Sequence, residues 1–168
     1  ESDKVPINLR NKIFKNIFEH SKKQDIWLTS NKFNYDMLAR FGDTKENVTY
    51  LISELKNERN TKVVISNAVK IVTNFRLHDS LAKMKIEKLI LKHIENNLTD
   101  SQFIYTLIDS LVQARFTAKA TVDRLLKLTE SQNSQYIRAA MYTMIQSANL
   151  ADEQIDYLIS GFELVNKN

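Results

Sequence analysis

Seven residues able to cap a helix, Asp43, Asn60, Ser80, Thr99, Thr117, Ser134 and Asn149, recur at spacings of 17, 20, 19, 18, 17 and 15 residues. Each precedes an apolar stretch of helical period. Each also offers a side-chain oxygen to the open amides of a first helical turn. One step of the ladder is the length of one helix and one short turn. Such a rhythm predicts an all-α chain of helix pairs stacked on one another. Turn chemistry agrees with it. Only 2 glycines and 1 proline occur, whereas sheet proteins place both at their many tight turns.

The apolar positions place the helices. Pro6 opens the first, where its missing amide hydrogen costs nothing, and Leu9, Ile13, Phe14, Ile17 and Phe18 line one face. After the polar stretch Ser21 to Asp25, the residues Phe33, Met37, Leu38 and Phe41 predict a short second helix. Gly42 then suits a C-terminal cap of positive φ. The third helix is expected from Asp43, with Glu46 placed for a reciprocal capping box. Beyond Asn60, Val64, Ile65, Ala68, Ile71, Val72 and Phe75 predict the fourth, and Ile86, Leu89, Ile90 and Ile94 the fifth after Ser80. Thr99 with Gln102 repeats the capping pattern for the sixth. Three more are expected after Thr117, Ser134 and Asn149.

Shifted by 72 residues, Val64, Ile65, Ala68 and Val72 fall on Tyr136, Ile137, Ala140 and Met144. Half of that shift suits a helical hairpin repeat. A second likeness, between the segments beginning at Asn97 and Asn149, is one of two similar helix starts. The segment from Asn133 to Met141, with Tyr136, Ile137, Arg138, Ala139 and Ala140, resembles the start of a HEAT inner helix. The segment from Asn60 to Ala68 is a weaker copy with Ser66 at the Arg place. The resemblance to the HEAT/armadillo class covers residues 43–164, with residues 1–42 as N-terminal helices of the same single domain. It implies a right-handed α-solenoid of about nine helices in antiparallel pairs with a concave binding face, and no reaction. A closed helical bundle, with the first and ninth helices in contact, is the alternative. A fainter resemblance to helical repeats attached to signal-transduction NTPases implies a sensor or scaffold role. No glycine-rich phosphate loop is present to supply the NTPase itself. A start at Glu1 leads us to expect a piece of a longer protein.

Bulk composition narrows the classes. There is no Cys, so disulfides and thiolate metal sites are excluded. Apolar runs are short, such as Leu89 to Leu91 between Lys88 and Lys92, and none approaches the about 20 residues that span a bilayer. We therefore expect a cytoplasmic protein. The net charge of +4 is uneven: residues 1–99 hold 18 basic and 12 acidic side chains, residues 100–168 hold 6 and 8.

Basic residues supply one set of candidates. Lys85, Lys88 and Lys92 share a face of the fifth helix at i, i+3 and i+7, with Arg76 and Lys83 as flanks. Other groups are Arg10, Lys12, Lys15, Lys22 and Lys23, and then Arg115, Lys119, Arg124 and Lys127. Aligned on one side they would form a phosphate-tracking stripe; as separate faces they are ordinary solvated surface. Trp27, Phe33, Tyr35 and Phe41 form an aromatic cluster that either seals the end of the stack or presents an exposed patch. Trp27 is the residue to examine for exposure.

Catalytic patterns are absent. His20, His78 and His93 have no partner at metal-ligating spacing. Asp152, Glu153 and Asp156 read as acids near a helix start, and Glu54 and Glu58 as solvated surface. Ser110, Ser134 and Ser147 lack a base partner and read as surface or cap residues. The expectation is thus a non-catalytic module, without cofactor or metal, that recognises a protein partner through Lys85, Lys88, Lys92, Arg115, Lys119 and Trp27. Nucleic acid bound in a basic groove is the alternative.

Overall fold

The computed structural model describes residues 4–28, 35–77, 79–114, 121, 123, 124, 155 and 156. Among them the regular structure is helical, and no strand occurs. The helices are α1 (Ile7–Gln24), α2 (Tyr35–Gly42), α3 (Lys45–Lys56), α4 (Lys62–Thr73), α5 (Ser80–Glu95) and α6 (Ser101–Gln113). Two compact units divide the chain, Glu1–His93 and Ile94–Asn168. Among the described residues no helix is long and apolar enough to cross a membrane.

In the first unit α1 pairs with α2 and α3 with α4, while α1 lies beside α3 and α2 beside α4. The α4 sequence is apolar nearly all round, which makes it the central helix. Val64, Ile65, Ala68, Val69, Ile71 and Val72 are all buried. Phe14 and Phe18 of α1 and Leu51 and Leu55 of α3 complete this core. Each side chain of that size contributes about 1.5–3 kcal/mol by leaving water. Phe14 meets Phe75 at 6.1 Å, and Phe18 meets Tyr50 edge-on at 5.7 Å.

The buried stripe of α1 is Asn11, Phe14, Phe18 and Ser21. Leu9, expected on this face, is 46% exposed instead. Five residues before Phe14, at about 100° per residue, it points well away from the stripe. Gly42 also differs from expectation. It is the last residue of α2 and has no positive φ. Its role is space, because a Cβ there would stand 2.1 Å from the Phe14 ring.

The four helix starts that the ladder places in the described region all exist, but each cap is one residue away. Thr44, not Asp43, accepts from the Asn47 amide at 3.2 Å. Thr61, not Asn60, accepts from Val64, and Asp100, not Thr99, from Phe103. Asp79, not Ser80, accepts from Leu81 and Ala82. Two of the displaced candidates serve groups outside the helix they precede. Asp43 accepts from the Arg76 amide, and the Asn60 carboxamide donates to the Glu54 carbonyl. With the start moved, Glu46 falls one position short of a capping box. It binds Asn11 and Lys15 of α1 instead. Thr117, Ser134 and Asn149 lie outside the described residues.

In the second unit α6 buries Phe103, Ile104, Leu107, Ile108 and Leu111. Ser110, expected at the surface, is buried and donates to the Thr106 carbonyl at 2.8 Å. Arg124 pairs with Glu95 at the end of α5. Residues 121, 123 and 124 are helical, as are 155 and 156.

Candidate functional site

An open groove of about 680 Å³ lies in the first unit between α3 and the first turns of α5. Its apolar lining comes from Val48 and Ile52 of α3, Leu77 of the α4–α5 connection, and Leu81 and Ala82 of α5. Val48 and Ile52 are nearly buried at 8% exposure, whereas Leu81 is 71% exposed and its neighbour Met84, one turn on, 64%. Lys45, Arg76 and Lys85 also line the groove and are exposed. Among the described residues none of these three cations makes an ion pair.

Two carboxylates share the groove, and both engage backbone amides. Asp43 Oδ2 accepts from Arg76 N at 3.0 Å, which fastens the α4–α5 connection to the start of α3. Asp79 Oδ1 accepts from Leu81 N at 2.9 Å and Ala82 N at 3.2 Å, so it caps α5. Both lie at helix N-termini, where the aligned peptide dipoles favour negative charge.

A buried polar knot holds the α3 wall in place. Asn11 accepts from Thr44 Oγ1 at 2.7 Å and from Asn47 Nδ2 at 3.0 Å, and donates to Glu46 at 2.7 Å. Asn47 also donates to the Gly42 carbonyl. Hydrogen bonding by Lys15 and Asn11, together with the Lys15 charge, holds the Glu46 carboxyl below the usual carboxylate range. Further along α3, Tyr50 donates to Glu19, and burial followed by that bond pushes its hydroxyl well above the usual phenol range.

Glu54 is a correction to the sequence expectation. It is buried rather than solvated, paired with Lys22 at 2.7 Å and accepting from Asn60 at 2.8 Å. The reason is tertiary, since α1 delivers Lys22 to that face of α3. Glu58 is exposed as expected and pairs with Lys92 at 3.0 Å. His93 Nε2 stands 2.7 Å from the Leu55 carbonyl. A carbonyl only accepts, so Nε2 carries the hydrogen, and the imidazole closes the C-terminal end of α3. His20 is exposed.

Of the expected binding residues, Lys85, Lys88 and Lys92 are all exposed along α5. Only Lys85 lines the groove, and Lys92 is engaged by Glu58. Arg115 and Lys119 lie outside the described residues, as do Phe33 and His78. Trp27 is 39% exposed in the turn after α1 and does not line the groove. The Lys70 ammonium sits 5.6 Å from its ring centroid. Asn67 of α4, fully buried, fixes this turn by donating to the Ile26 carbonyl at 2.9 Å and accepting from Leu28 N at 3.3 Å.

Sequence reasoning passed over Leu81, Met84 and Lys45. The signal for the first two was present. Leu81, Met84, Lys85 and Lys88 fall at i, i+3, i+4 and i+7, away from the buried Ile86, Ile90 and Ile94. Two apolar side chains on a lysine face carry more information than the lysines alone. Among the described residues no group of three His, Asp or Glu side chains gathers as a metal site would require. No protein family, curated protein or solved structure matches the chain.

Proposed function

We propose that this chain is a non-catalytic helical binding module that recognises a protein partner through the groove between α3 and α5. One observation carries the proposal: Leu81 and Met84 stand exposed beside a groove with an apolar floor. Large apolar side chains clustered in water are the ordinary mark of a surface that becomes covered. The setting we propose is a HEAT-like solenoid acting as the sensor or scaffold of a larger protein, such as a signal-transduction NTPase. Stacking of the α1–α2 pair on the α3–α4 pair supports repeated hairpins, although a closed bundle makes the same contact. The concave-face role then belongs to the groove, and we assign no reaction, metal or cofactor to it.

A second function has its own support. Lys85 and Lys88 are exposed and make no ion pair among the described residues, which favours a nucleic acid tracked by its phosphates. Leu81 and Met84 among those lysines favour protein, because a phosphate backbone gives them nothing to pack against. Capture from cell extract separates the two. The wild-type chain should retain specific proteins that a Leu81→Glu/Met84→Glu variant does not, before and after nuclease treatment. Identical retention by both forms sinks the protein-binding proposal, and retention abolished by nuclease replaces it with the second function.

A further inference from the structure

The chemistry of the groove narrows the partner, given the protein-binding proposal on which this inference rests. We infer that the occupant is an acidic amphipathic segment, with apolar side chains on one face and carboxylates on its flanks. Lys45, Arg76 and Lys85 surround the groove and have no carboxylate of their own among the described residues. Of the carboxylates present, Asp43, beside the start of α3, accepts from the Arg76 amide of the α4–α5 connection, and Asp79, at the start of α5, accepts from the Leu81 and Ala82 amides. The positive ends of those two helices offset them, so the unbalanced charge at the rim is cationic. Between the cations lie Leu81 of the α5 wall and, recessed at the base of the α3 wall, Val48 and Ile52.

Apolar floor and cationic rim are the complement of an acidic amphipathic helix laid into a groove. A nucleic acid would satisfy the cations and leave Leu81 and Met84 in water. An anionic membrane would cover Leu81 and Met84, but a flat bilayer cannot reach a floor that is 8% exposed. The recessed Val48 and Ile52 therefore favour an inserted segment over either surface.

Titration of the full chain with labelled probes tests this. The probes are a designed Leu/Glu amphipathic peptide, its Leu/Lys counterpart, a single-stranded oligonucleotide, and phosphatidylserine vesicles. The Leu/Glu peptide should bind in preference to the other three, and added salt should weaken it. Lys45→Glu/Arg76→Glu/Lys85→Glu should weaken it about tenfold, the product of roughly twofold per exposed pair. Leu81→Glu should weaken it independently. All four side chains are exposed, so circular dichroism should be unchanged, and Lys85→Gln serves as a milder variant. Equal binding of the Leu/Glu and Leu/Lys peptides, or binding of the oligonucleotide or vesicles in its place, overturns the inference. If the Leu/Glu peptide fails while Leu81→Glu/Met84→Glu still abolishes capture from extract, the occupant is wrong and the protein-binding proposal stands.

Discussion

A methyl group at Gly42 would need the space held by the Phe14 ring, whose nearest carbon is 2.1 Å from the Cβ position. Phe14 is fully buried and cannot swing aside. Gly42→Ala should therefore cost about 1–3 kcal/mol or more, as overpacked cores do, read from the midpoint of urea unfolding. The sequence marked Gly42 as special but for its backbone, because the obstructing ring is 28 residues away. Ser66 presents the opposite case. Its hydroxyl is fully buried and, among the described residues, lacks a hydrogen-bond partner. Ser66→Ala should leave stability unchanged or raise it by up to about 1 kcal/mol, since it removes a desolvated group. At Asn67 the expected sign reverses. Asn67→Ala strips the Ile26–Leu28 turn of two hydrogen bonds and should cost about 1–3 kcal/mol. Trp27 is the only tryptophan, so the same change should show directly as a red-shifted emission. The exposure of Trp27 was foreseeable only as one of two readings, since it follows the polar break and sits between Ile26 and Leu28. The carboxamide that supports it was not, because nothing local marks Asn67 from other helix asparagines.

Helix interiors were legible because apolar period is a local property, and α1 and α3 to α6 lie where that period predicts. Their edges were not. Asp43 and Asn60 each stood beside a threonine that caps in their place, although threonine is in general the weaker capper, and each was engaged outside its own helix, by the Arg76 amide and the Glu54 carbonyl. The cleanest check lies at α6. Asp100→Ala should lower stability by about 1 kcal/mol, as cap removal does, whereas Thr99→Ala should stay within about 0.5 kcal/mol. Thermal melts of the two variants decide which residue caps. The tie between α1 and α3 has a pH signature. Because its folded-state pKa is depressed, Glu46 contributes stability above the ordinary carboxylate range and loses it as pH falls through the lowered value. On acidification from neutral to about pH 3, Glu46→Gln should thus lose less melting temperature than the wild type. Equal losses would remove Glu46 from the account.

At the scale of the molecule, the all-helical class followed from scarce glycine and proline together with helical period. The groove did not, since its walls come from α3 and α5 and no stretch of sequence contains both. Even so, Leu81 and Met84 could have been singled out as apolar residues on a lysine face. The first unit has its own core around α4, so a fragment of residues 1–93 should fold alone and melt cooperatively by circular dichroism. A featureless melt would deny it independence. The α3–α5 groove owes its width to a short tether. Thr73 ends α4 and Ser80 begins α5, and between them the Asp43 carboxylate grips the Arg76 amide. That grip works like the locking screw of a calliper. Loosening it would let the jaw carrying Leu81 shift relative to the jaw carrying Val48, with the apolar side chains of both left unchanged. On the binding proposal, selectivity for partners of different girth can therefore drift through the Asp43 tether while Leu81, Val48 and Ile52 stay the same.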